Sequence, residues 1–353
     1  MADIRFLTTS YEKCKYDFIA FKNANRATKQ TETYFDWRYL NRPWNKLKPI
    51  IIWAESSEGK KIGSLSLVSH YYMINNRLSP VGVMGDISVE KNWRGKGIAK
   101  QMFDYLSGLE HVNNFEVCIV MPSEDAARPL EKAHWKPTTR LERYVKRIDF
   151  EKTLGSKFKS GRLSTVVARS LKKTADLLTL ETYLKDAPDY TGELIAGFDE
   201  RFDDLWNNVN RKEMIIGLRN KEYLTWRYSH HPVMRYHVFI LTQREKLRGY
   251  IIFSIDKDQY HIDDILSLNG KNHYINLLNY FLKFARSNDG VSSITLKLNN
   301  NDLLSFPLSL FGFIRRYDHQ KFLITDNNGM RDDAHSLLLD GRKWYLTHAD
   351  KEV

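Results

Sequence analysis

The sequence predicts an α+β protein built from two similar halves. Three observations carry that expectation. A unit of strand, glycine loop and helix runs from Val81 to Leu109. Helices come first and strands at hairpin spacing follow, with no strict alternation of strand and helix. An aromatic pattern, Trp37-Arg38-Tyr39, returns as Trp226-Arg227-Tyr228 at an offset of 189 residues, as an internal duplication would leave it.

In chain order, Tyr11 to Asn25 reads as a helix with Tyr11, Cys14, Phe18 and Phe21 inward. A second helix, Thr33 to Leu40, ends before Pro43. Ile50 to Ala54 is a strand, Glu55 to Lys60 a turn, and Lys61 to His70 its hairpin partner. Tyr71 to Leu78 reads as a third strand and Val81 to Val89 as a buried one. A polar loop, Glu90 to Lys96, precedes a helix that turns Ile98, Met102, Tyr105, Leu106 and Leu109 to one side. Phe115 to Met121 is a strand, Leu130 to Trp135 a short helix, and Thr138 to Asp149 a closing strand.

The loop Arg94-Gly95-Lys96-Gly97-Ile98-Ala99 has a direct physical reading. A helix start leaves backbone N–H groups without partners, and the helix dipole makes that end positive. Glycines let a phosphate approach the backbone, and Arg94 and Lys96 add charge. Such a turn suits a pyrophosphate. Its spacing fits neither the dinucleotide fingerprint nor the P-loop.

Arg94-x-x-Gly97-x-Ala99, opening a helix after a strand, resembles the [Q/R]-x-x-G-x-[G/A] signature of the GNAT acyltransferases. Asp86 to Trp93 resembles that family's preceding strand and loop. The resemblance covers residues 1–150. It implies a mixed, mostly antiparallel central sheet flanked by helices, with the pantetheine of acetyl-CoA lying where two strands splay apart. It also implies backbone contacts, the oxyanion donor among them, from Ile87, Ser88 and Val89, and a pyrophosphate held by Arg94, Gly95, Lys96, Gly97, Ile98 and Ala99.

In the implied reaction an amine attacks a thioester carbonyl, which calls for a base, an oxyanion donor and an acid for the thiolate. Asp86, on the central strand, and Glu116, on its neighbour, are the candidate bases; each has a structural alternative. Glu124 and Asp125 suit a helix cap, and His70 and His134 suit structural positions. The family's acid is a tyrosine in the last helix. Here that stretch reads Leu130-Glu131-Lys132-Ala133-His134-Trp135, so Tyr105, Tyr144 or water must serve.

The second half repeats the strands as Phe239-Ile240-Leu241 and Arg248 to Ile251. Gly95-Lys96-Gly97 is matched with Gly270-Lys271-Asn272, which puts Tyr274 opposite Ala99. A tyrosine there fills the space phosphates need, so one acyl-CoA site is expected, in the first copy. The second copy is expected to be degenerate and to shape the acceptor pocket; Asp263 and Asp264 either line its cleft or end a strand. Trp37 and Trp226 are expected to pack in the core rather than stack on a ligand. The domains are a GNAT domain at 1–150, a basic linker at 151–189, a GNAT-like domain at 190–325 and a tail at 326–353. The Trp344 to Asp350 cluster in that tail is expected to dock on the body.

The net charge is +11, and Lys136 to Lys173 holds twelve Lys or Arg against Glu142, Asp149 and Glu151. An anionic co-substrate suits this balance, and no nucleic-acid motif accompanies it. Glu151 to Leu178 reads as a basic amphipathic helix, a linker first and a peripheral membrane contact second. No apolar run reaches a membrane span, and Met1 to Arg5 does not open a signal peptide. Cys14 and Cys118 read as reduced core residues of a cytoplasmic protein, and no metal is expected. The expected activity is N-acetyl transfer from acetyl-CoA to a small amine, with an amino sugar or nucleotide-linked amino sugar of surface polysaccharide synthesis preferred by resemblance. The alternatives are a protein or peptide acceptor and a non-catalytic acyl-CoA-binding protein.

Overall fold

The structure is a computed structural model. It describes residues 3–44, 46–149, 179–209, 214–268, 270–288, 290–299, 302–318, 320–325 and 332–351, with backbone alone at 302–303 and 332–335. The stretch 151–178, expected to be a basic helix, lies outside them.

The first half runs β1 (Ile4–Ser10), α1 (Tyr11–Ala24), α2 (Glu32–Tyr39), β2 (Ile50–Ser56), β3 (Lys61–Ile74), β4 (Arg77–Val89), α3 (Ile98–Ser107), β5 (Val117–Val120), α4 (Glu124–Lys132) and β6 (Lys136–Arg147). The second runs β7 (Tyr190–Ile195), α5 (Glu200–Asn208), β8 (Ile215–Gly217), α6 (Lys221–Leu224), β9 (His237–Gln243), β10 (Lys246–Asp256), β11 (Gln259–Ser267), α7 (Lys271–Ser287), β12 (Ser293–Asn299), α8 (Asp302–Leu310), β13 (Ile314–Arg316) and β14 (Lys321–Thr325). The tail adds α9 (Asp332–Leu339) and β15 (Trp344–Tyr345).

The strands join into one sheet in the order β1-β2-β3-β4-β5-β14-β6-β12-β11-β10-β9-β7. Only β4–β5 and β11–β12 are parallel along that path, so the sheet is mixed and mostly antiparallel, as expected. Each half is closed by a strand from the other. β14 lies between β5 and the start of β6, whereas Leu141 to Arg147 of β6 lies between β12 and β13.

Three expectations about the elements change. β1 is an added edge strand. Tyr71 to Leu78 is not a separate strand, because Asn75 and Asn76 both take positive φ, 50° and 59°, and form the tight turn between β3 and β4. The cause is local: asparagine tolerates the left-handed region that such a hairpin turn demands. α4 also begins earlier than expected, at Glu124.

The first half of the sheet is covered on both faces. α1 and α2 bury Phe18, Phe35 and Tyr39 over Trp53 on one side. α3 and α4 bury Met102, Phe103, Leu106 and Leu130 with Trp135 on the other. Each such apolar side chain contributes about 1.5–3 kcal/mol by leaving water. Cys14 and Cys118 are buried within these layers and form no disulfide. The repeat shows in the helix caps: Thr31 accepts from the Tyr34 N–H, and Asn220 from the Tyr223 N–H. Trp37 and Trp226 are buried against one another where the halves meet.

Candidate active site

β4 and β5 are hydrogen-bonded only through Val81 to Val83 against Val117 to Ile119. Beyond that point β4 pairs with β3 alone, and the two parallel strands splay. Ile87, Ser88 and Val89 lie on the free stretch and are half-buried. The chain then makes a short turn, Lys91–Trp93, and enters α3.

Gly95 and Gly97 have φ of 76° and 77°, which L side chains adopt at a cost. Among the described residues a Cβ at Gly95 would meet nothing within 4 Å, and one at Gly97 only the Gln101 amide nitrogen at 3.9 Å. Gly97 caps α3 with no side-chain hydrogen bond. The first-turn amides therefore open onto free space, beside exposed Arg94 and Lys96. Arg94 Nε donates to the Val89 carbonyl at 3.0 Å, which ties the loop to the end of β4. Lys96 lies 4.5 Å from the centre of the Trp93 ring. This donor set and this space fit the diphosphate of a CoA thioester, with Arg94 to Ala99 as its cradle.

Asp86 sits one step earlier on β4, at φ 49° and at the bulge between the Ser66–Gly85 and Ser64–Ser88 pairs. Its carboxylate meets Lys22 at 3.2 Å, Arg26 at 3.1 Å and Arg38 at 3.3 Å, and accepts from the Tyr39 hydroxyl at 2.5 Å. Lys22 also donates to the Asp86 carbonyl at 2.9 Å. Burial works to raise the Asp86 pKa. Arg38, Lys22, the Tyr39 hydroxyl and Arg26 outweigh it and hold the carboxyl below its usual range. Burial pushes the Lys22 ammonium the other way, below an ordinary lysine. A carboxylate so committed is a poor base.

The other two proposed catalytic side chains lie elsewhere. Glu116 precedes β5, its N–H bonded to the Pro80 carbonyl and its carboxylate 2.5 Å from Arg77, at the end opposite the splay. It lies away from the opening because β4 and β5 diverge from their carboxyl ends, not their starts. Tyr144 lies on the exchanged part of β6, in register with Leu296 and Arg315, and burial raises its pKa. It therefore belongs to the second half's sheet. Tyr105 packs on Phe6 and accepts from the Thr8 hydroxyl at 3.4 Å, both on the edge strand β1.

The corresponding opening of the second half is filled. β11 and β12 pair through Gln259 to Ile262 and then part. The tail enters there: Leu346 exchanges hydrogen bonds with Asn299, and Tyr345 donates to the Ile265 carbonyl. Tyr274 of α7 meets Tyr345 at 3.3 Å. Arg219, fully buried, lies between Asp264 and Asp350 at 3.2 and 2.6 Å. Asp263 repeats the Asp86 arrangement, because Tyr228 donates to it at 2.9 Å as Tyr39 does to Asp86. His348 of the tail adds a contact at 2.6 Å. Burial raises the Asp263 pKa, but His348, Arg227 and Tyr228 bring it down to about 2. α7 is capped by Gly270 itself, two residues before the Asn272 matched with Gly97. Asp263 and Asp264 are thus cleft residues whose cleft the tail occupies.

Sequence reasoning missed Lys22, Arg26 and Arg38 as neighbours of Asp86. A signal existed: the Arg-Tyr pair repeats at the same 189-residue offset as the tryptophans, and polar repetition inside a core points to a shared polar partner.

Among the described residues no helix is long and apolar enough to cross a membrane. Comparison with curated protein sequences finds no match. Solved structures do match in fold. One is a conserved protein of Enterococcus faecalis described as a probable N-acyltransferase, at 15% identity, over 92% of this chain and 72% of that one, with TM-score 0.60. Another is a GCN5-related N-acetyltransferase from Anabaena variabilis, at 13% identity, 92% and 73% coverage and TM-score 0.63. A third is a tandem GNAT protein from the clavulanic acid biosynthesis pathway, at 11% identity, 93% and 100% coverage and TM-score 0.56. Identities this low speak to fold alone. The sequence of residues 11–130 matches the model of the acetyltransferase (GNAT) family, and that segment contains β4, the glycine loop and α3. Residues 11–130 thus match the acetyltransferase (GNAT) family model, and the chain as a whole shares the fold of a tandem GNAT protein.

Proposed function

We propose that the chain transfers an acetyl group from acetyl-CoA to the amine of a small molecule, at a single site in its first half. The observation that carries this reading is the contrast between two related openings. Both helices start without a side-chain cap and with open space over their glycines, but only in the second half do Tyr345 and Leu346 of the tail, among the described residues, fill the opening between the strands. In our reading Arg94 to Ala99 hold the diphosphate, and the backbone of Ile87 to Val89 carries the pantetheine and donates to the oxyanion. Asp86 holds three cations in place and is not the base. The amine enters already neutral or gives its proton to water. The thiolate takes its proton from water, since Tyr105 and Tyr144 are turned to other contacts. An amino sugar or a nucleotide-linked amino sugar is the acceptor we favour.

The test is to incubate the protein with acetyl-CoA and panels of amines and follow free thiol. Release with amino sugars supports the reading. Release with peptides only moves the activity to protein acceptors, and CoA binding without release with any amine overturns the catalytic claim.

A further inference from the structure

The Asp86 cluster has more to it than fixing two helices to the sheet. Lys22 and Arg26 stand four residues apart on and just beyond α1, Arg38 comes from α2, and all three cations share one carboxylate. Lys22, Arg38 and Asp86 are all but closed to solvent, whereas Arg26 keeps about a quarter of its side chain exposed. Lys22 and Arg26 alone are already two cations on one carboxylate, and that excess of positive charge, held in low dielectric, favours a further anion.

Its place in the fold gives that preference a use. Ser64 and Ser66 lie two apart on β3 and share one face of the sheet. The Tyr39 hydroxyl bonds Ser66 there, so this is the face that α1 and α2 cover, opposite α3 and the glycine loop. Ser64 is fully buried on that face, in register with Ser88, and its hydroxyl has no hydrogen-bond partner among the described residues. A thioester entering from the α3 side through the β4–β5 splay would meet its acceptor here.

In the second half the tail makes its own contacts around Asp263, the counterpart of Asp86, and its neighbour Asp264. There the tail brings His348 onto Asp263 and a carboxylate, Asp350, onto Arg219. The chain's own tail thus brings an anionic group onto an arginine in that opening.

We infer that the amine acceptor carries an anionic group, a carboxylate or a phosphate, received at Arg26 and Lys22. The inference rests on amine acylation at the first-half site and narrows its acceptor. Arg26 is a specificity residue in this scheme, with the CoA loop unaffected by it.

The test is calorimetric titration of the CoA-loaded full chain with glucosamine, glucosamine 6-phosphate, 2-amino-2-deoxyglucuronic acid and inorganic phosphate. At least one anionic sugar is expected to bind about tenfold or more tighter than glucosamine, the scale of one charge-assisted hydrogen bond. Inorganic phosphate is expected to compete with it, and the tighter of the two sugars identifies phosphate or carboxylate. Arg26→Met should remove the preference with CoA affinity unchanged, and Arg26→Lys should restore part of it, which a purely structural arginine would not do. Equal binding of the three sugars, no binding by either anionic one, or an undiminished preference in Arg26→Met overturns the inference. These are binding measurements, so failure of acetyl transfer would show separately, as absence of thiol release.

Discussion

The indole N–H of Trp37 donates to the carbonyl of Trp226 at 2.8 Å, and that of Trp226 donates to the carbonyl of Trp37 at 2.9 Å. The two rings stack at 5.2 Å with 20° between their planes. Residues that are equivalent in the repeat therefore meet as equals, each giving the other what it receives. Replacing either by phenylalanine keeps an aromatic ring and strands one buried carbonyl. Each of Trp37→Phe and Trp226→Phe should cost about 1–3 kcal/mol in urea unfolding. The double variant should cost less than the sum, since the partners share one contact. Strict additivity would show that the two hydrogen bonds are energetically independent.

The single-site claim is tested at two glycines. Gly97 and Gly270 both cap helices at positive φ, 77° and 104°, and neither has a crowded Cβ direction. Tryptophan imposes backbone strain at either place, so each variant controls for the other. Gly97→Trp should abolish CoA binding in calorimetry, and Gly270→Trp should leave it within about twofold, an effect under 0.5 kcal/mol. Equal losses would contradict a site confined to the first half.

Asp86→Asn separates a base from an anchor. Loss of a base would leave the fold intact and remove one limb of the pH–rate profile. Loss of an anchor leaves Lys22 and Arg38 buried without their counter-charge, at a cost of about 3–5 kcal/mol. The expected outcome is a large fall in melting temperature and, in the protein that remains folded, an unchanged profile shape.

His231 gives the fold an acid sensitivity. Burial, with Arg227 nearby, lowers its pKa from 6.5 to about 4. Its Nδ1 accepts from the Val233 and Met234 N–H groups at 3.2 and 3.0 Å, bonds that protonation would end. The neutral form is the native one. Its contribution is complete above pH 6.5 and is lost as pH falls from there toward 4. In urea melts across that window the wild type should lose more stability than His231→Gln. Parallel curves would count against the assignment.

The unit from Val81 to Leu109 was legible because each of its signals is local: an apolar run, two glycines and a helical stripe. The fold class followed from it and from the repeat. The turn at Asn75–Asn76 was written just as locally, yet a run of β-forming residues on both sides hid it. The roles of Glu116 and Tyr144 were not legible, since they depend on which end of a parallel pair opens and on which sheet a strand joins. The surroundings of Asp86 were half-legible, through the repeated Arg-Tyr pair. Its remaining partners, on and just beyond α1, are chosen by tertiary packing, which no spacing announces.

The crossing of β6 and β14 sets a rule for how this chain is made. A ribosome releases β5 some two hundred residues before the strand that belongs beside it, Lys321–Thr325. Until then four apolar residues, Val117 to Val120, keep an open hydrogen-bonding edge. The newborn front portion must be guarded or must wait. A gene cut between the halves would yield two polypeptides, each with a gap that only the other fills, and their recovery would depend on mixing them.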